Sequence, residues 1–118
     1  MRSRHLALGL ALTVVGCAAA SGVRDVAELA GEWRGRVSNP AGHAAAAMAV
    51  TATGAYRGTM YLDGADRAFH GSLIVVRPGE VRYQGIDGNG AVRVTDEAGR
   101  RTLRFLRDDG GVEAVFRR

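Results

Sequence analysis

The chain has 118 residues and a formal charge of +4, so it is one domain at most once a leader is removed. All sixteen basic residues are arginine; without Arg2 and Arg4, fourteen face twelve acids, and the remaining +2 is no nucleic-acid footprint. A single cysteine, Cys17, excludes an intramolecular disulfide and any cysteine-based metal site, so the fold must rest on its core alone.

The first residues have the three parts of an export signal. Arg2 and Arg4 form a positive start, Leu6 to Val15 an apolar core of ten residues, and small residues follow. Ten residues fall short of the roughly 20 that a spanning helix needs. Val14-Val15-Gly16-Cys17 resembles a bacterial lipobox. The resemblance implies a lipoprotein signal peptide over residues 1–16, cleavage after Gly16, and acylation of both the Cys17 thiol and the new amino group. Each buried methylene contributes about 0.8 kcal/mol, and two or more chains anchor stably. Ala18 is not the aspartate that retains such proteins in an inner membrane, which points to an outer membrane, facing the periplasm, in a diderm host. The alternative is an ordinary signal peptide cut near Ala20, releasing a soluble protein.

Residues 18–24, AAASGVR, read as a flexible tether with a reach of at most roughly 25 Å. Asp25 is placed to cap one helical turn through Val26 to Ala30, with Gly31 ending it.

From Gly31 onward the pattern has period two. Strands are expected near 32–38, 44–52, 55–62, 67–76, 80–86, 91–95, 101–107 and 112–118, with His43 and Gly88-Asn89-Gly90 in turns. Asp-Gly and Asn-Gly pairs supply the positive φ of tight hairpins. Short connections favour an up-and-down meander, and no helix is long enough to cover an open sheet. The expected fold is therefore all-β, a small eight-stranded antiparallel barrel over residues 31–118. The inward set holds Trp33, Val37, Met48, Val50, Tyr56, Met60, Phe69, Leu73, Val75, Val81, Tyr83, Val92, Val94, Leu103, Phe105, Val112 and Phe116. Arg34, Arg36, Arg57, His70, Arg82, Gln84, Arg93, Arg104, Glu113 and Arg117 face out.

An aromatic-x-glycine triplet recurs at Trp33-Arg34-Gly35, Tyr56-Arg57-Gly58, Phe69-His70-Gly71 and Tyr83-Gln84-Gly85. The spacing sets ring and glycine on one inward face. Two readings stand: a device that lets a small filled barrel curl, or a ligand cavity lined by Trp33, Tyr56, Phe69 and Tyr83. Leu29-Ala30-Gly31-Glu32-Trp33 resembles the opening of calycin-type barrels, the lipocalins and avidins among them. The resemblance implies that Trp33 plugs a barrel floor against Arg117 or Arg118; the ring-lined interior is expected to receive a small apolar ligand.

Strand parity sends Asp63, Asp66, Asp87, Asn89, Asp108 and Asp109 to the end away from the tether. Arg77, Arg100, Arg101, Arg117 and Arg118 go to the tether end with Glu80, Asp96 and Glu97. His70 lies near Ser72 and Asp66, but an exposed strand face offers no oxyanion device. The reading is a non-enzymatic binding module anchored to a membrane by its lipid, with no cofactor and no metal. The alternative is a protein-interaction module, such as a periplasmic hydrolase or protease inhibitor, or a structural envelope protein.

Overall fold

Alternating apolar and polar residues form strands whose buried face needs a partner sheet or closure. The computed structural model describes residues 19–20, 22–39, 42–86, 88–110 and 113–118. Cys17 and the signal segment lie outside the described residues, as do Asp87 and Val112. Among the described residues no helix is long and apolar enough to cross a membrane.

A two-residue strand β1 (Ala19–Ala20) and a 3-10 turn (Val26–Leu29) precede the main strands. These are β2 (Gly31–Asn39), β3 (Gly42–Val50), β4 (Ala55–Tyr61), β5 (Arg67–Arg77), β6 (Glu80–Gly85), β7 (Gly88–Glu97), β8 (Arg100–Arg107) and β9 (Glu113–Arg117). From β2 to β9 each strand pairs antiparallel with the next, and β9 returns to β2 from Arg34↔Arg117 to Ser38↔Glu113. The sheet is a closed eight-stranded up-and-down barrel, as its alternation and short turns required.

Two glycines allow the tight curvature. A Cβ at Gly35 would overlap the Val115 carbonyl where β2 meets β9, and one at Gly90 would overlap the Leu106 carbonyl where β7 meets β8. Gly90 therefore belongs in a strand, and the expected turn at residues 88–90 is corrected. Gly85 pairs with Gly88, so the connection is only residues 86–87. His43 likewise sits in β3, with its Nδ1 2.8 Å from the Ser38 hydroxyl across the pair.

The inward set forms the core at Trp33, Met48, Val50, Tyr56, Leu73, Val81, Val92, Val94, Leu103, Phe105 and Phe116. Val37, Met60, Phe69, Val75 and Tyr83 are only partly buried. Val23, Leu29, Ala44, Ala46 and Ala114 complete the core.

Val23 corrects the expected free tether: it is 0% exposed, and its carbonyl accepts from the Gly79 amide at 2.9 Å. Ala19 and Ala20 pair with Asp96 and Thr95 of β7, a stretch that runs past the end of the β6 pairing. Asp25 Oδ1 accepts from the Ala27 amide, and Glu28 Oε2 accepts from the amides of Arg24 and Asp25. Those two amide bonds hold the Glu28 carboxyl below its usual pKa, and the nearby Arg101 charge adds to the effect. Residues 23–30 thus strap one end of the barrel, touching the turns at Gly79 and Gly54 and the start of β8 at Arg101.

Candidate functional site

Strand parity gives the barrel two unlike ends. The strap and Arg118 close the floor. Trp33 Nε1 donates to the Leu29 carbonyl at 3.0 Å, and the ring is 1% exposed. The Arg118 guanidinium lies 4.5 Å from that ring's centroid and donates to the carbonyls of Ala30 at 2.6 Å and Glu28 at 3.0 Å. Of the two arginines considered for this contact, Arg118 makes it.

Above this floor Leu73, Val81, Val92, Val94 and Leu103 fill the barrel, and a hollow lies at its mouth end. This cavity of about 320 Å³ opens away from the floor, within the range of roughly 300–1,000 Å³ seen for small-molecule sites. Tyr56, Phe69 and Tyr83 line it together with Phe105 and Phe116. Trp33 does not; it belongs to the floor. The rings form a connected set, with Tyr83 and Phe105 centroids 5.0 Å apart and Phe105 and Phe116 5.6 Å apart at 73°. Tyr56 stands edge-on to Phe105 at 5.9 Å.

The aromatic-x-glycine triplets contribute to both the curvature and the hollow. Two of the rings lie over a glycine of the neighbouring strand rather than their own: Phe69 pairs with Gly58, and Tyr56 with Gly71. A Cβ at Gly58 would fall on Phe69, one at Gly71 on the Tyr56 hydroxyl, and one at Gly85 within 2.8 Å of that hydroxyl. Tyr56 of β4 meets Phe105 of β8, and Phe69 of β5 meets Phe116 of β9 at 6.4 Å, so the rings touch across the barrel and bound the hollow at its mouth end.

The mouth carries two arginines that the inward set above omits. Arg67 and Arg107 line the cavity, in phase with Phe69 and Phe105 two residues away. Arg107 lies over Gly88, where a Cβ would come 2.8 Å from its Nε, and is held by Asp109 at 3.1 Å. Arg67 is exposed and has no ion pair with another described residue. Asp108 pairs with Arg82 at 2.6 Å. The mouth is therefore mixed in charge rather than uniformly acidic. The floor end is mixed too, through Arg77–Glu80 at 3.1 Å and Arg101–Asp96 at 3.0 Å. Burial pushes the Tyr83 phenol above its usual pKa, partly opposed by Arg107.

Among the described residues, no three histidine, cysteine or acidic side chains are grouped to hold a metal. His70 and Ser72 are exposed on the outer wall. Among the described residues, the exposed large apolar side chains Tyr61, Leu62 and Ile86 sit near the mouth and Ile74 and Val76 near the floor, with Arg57, His70 and Ser72 between. Protein-family models, curated proteins and solved structures give no match to this chain.

Proposed function

We propose that the protein is an envelope lipoprotein, anchored through Cys17, whose barrel binds a small ligand with an apolar body. The cavity carries this reading: about 320 Å³, walled by aromatic rings, closed below and open above. Burial of an apolar ligand against such rings yields on the order of 25 cal/mol per Å². The lipobox-like residues supply the anchor, and the calycin-like Gly31 and Trp33 accord with a ligand-holding barrel. No catalytic role is assigned.

The order of the strap favours this reading over a hydrolase or protease inhibitor that inserts its N-terminal segment. Val23 is buried and Ala19–Ala20 are paired, so that segment is occupied. Ala19 is two residues beyond Cys17, and antiparallel β1 enters from the floor side of β7. At roughly 3.5 Å per residue, the backbone of the lipid-bearing Cys17 would lie within about 7 Å of Ala19. The floor then faces the membrane and the mouth faces away.

Native mass spectrometry of the protein extracted from membranes of its host tests both parts. The expected result is acyl mass on residue 17, lost in Cys17→Ala, with a small retained molecule released on denaturation. An unacylated protein starting near Ala20 would overturn the anchor. A protein with no retained mass that also fails to take up neutral N-phenyl-1-naphthylamine would overturn the binding role.

A further inference from the structure

The two mouth arginines deepen that reading and rest on it. An apolar cavity needs no cation at its entrance. Arg67 and Arg107 instead stand on the inward phase of β5 and β8, each one step above a ring, Phe69 and Phe105. Gly88 supplies the room that lets Arg107 lie over the mouth. The other outer-wall arginines, such as Arg36 and Arg93, are directed away from the interior by strand parity.

We propose that the cavity selects a small amphipathic anion, whose apolar body lies against the rings while its carboxylate, sulfonate or phosphate sits at the mouth between Arg67 and Arg107. Guanidinium groups suit such oxyanions because they present paired donors in a plane. Asp109 lies 3.1 Å from Arg107 and offsets part of its charge, so it weakens the pull of Arg107 on an anion. Arg67 is exposed at the mouth and has no ion pair among the described residues, so its charge is available to the anion. A cavity of about 320 Å³ accommodates roughly ten waters' volume, which suits a single chain or a fused-ring body.

The test uses the mature full-length protein and two probes that differ by one sulfonate group: 1-anilinonaphthalene-8-sulfonate and its neutral parent N-phenyl-1-naphthylamine. The anionic probe should bind at least tenfold more tightly. Arg67→Gln should weaken it about fivefold, the upper end for a solvent-reachable ion pair, and Arg67→Gln with Arg107→Gln should bring it to the level of the neutral probe. Neutral-probe binding should stay within about twofold in both, which also reports that the barrel is folded. Decanoate should displace the anionic probe, and phosphatidylglycerol vesicles should not. Equal affinity for the two probes, or anionic binding unmoved by the double variant, would overturn the proposal while leaving the cavity reading intact. So would an equal loss in the wall variant Arg36→Gln with Arg93→Gln, or displacement by vesicles alone. Failure of both probes to bind would instead remove the cavity reading itself.

Discussion

Arg118 binds the two ends of the domain chemically. Its guanidinium stacks on Trp33 and donates to two carbonyls of the strap, so one side chain satisfies backbone acceptors and covers a ring. Lysine can reach one acceptor but lacks the planar fork and the stacking surface. Arg118→Lys should therefore lower unfolding free energy by about 1–2 kcal/mol, the range for a partly exposed cation–π contact plus a charge-assisted hydrogen bond. Denaturant titration measures it. Trp33 is the sole tryptophan, so a red shift of native emission would report the opened floor directly. An unchanged midpoint would mean that the contact adds nothing. The aromatic and glycine residues were legible as a pattern, whereas their result was not. Spacing alone cannot say how the rings meet across the barrel, and that decides where a small barrel is filled and where it is hollow. Arg67 and Arg107 were readable by parity with Phe69 and Phe105, but charge at a strand end is ordinarily solvated and gives no signal of its direction.

The strands and their closure were the most legible part, because period-two alternation with tight turns leaves few other ways to bury one face. Hairpin ends were less so. In the turn between β7 and β8, both central residues, Ala98 and Gly99, have positive φ, at 51° and 80°. Such a two-residue turn favours asparagine or glycine at its first position, and alanine there carries left-handed strain of roughly 1 kcal/mol. Ala98→Asn should raise stability by about 0.5–1 kcal/mol without altering ligand binding, seen as a higher melting temperature with unchanged probe affinity. A lower melting temperature would contradict this account of the turn. The turn at residues 86–87 illustrates the opposite case. Gly88-Asn89-Gly90 has the composition of a hairpin tip, yet the close approach of Leu106 to Gly90 takes those residues into β7. Long-range packing decided a feature that local composition described differently.

At the scale of the whole molecule, residues 23–30 make the barrel a cup rather than a tube. Composition reads AAASGVR as a tether because its residues are small. Val23 alone had the apolar bulk to be drawn under the floor, where it is fully buried. Val23→Ala should cost about 2 kcal/mol, two lost carbons plus an incompletely collapsed void. For a domain of this size that is roughly a 10 °C fall in melting temperature. Calorimetry would detect it, and a shift below about 2 °C would mean that the strap only rests on the barrel. The pairing of Ala19–Ala20 on β7 carries the same closure outward, toward Cys17. For a chain held by lipid at that cysteine, the consequence concerns supply and delivery. In that proposed arrangement the opening would look into the aqueous compartment, with the whole barrel between it and the bilayer. Occupancy would follow the dissolved concentration of the ligand and not its content in the membrane. Hand-over to a second protein would require that protein to approach from the water side, across the full height of the barrel.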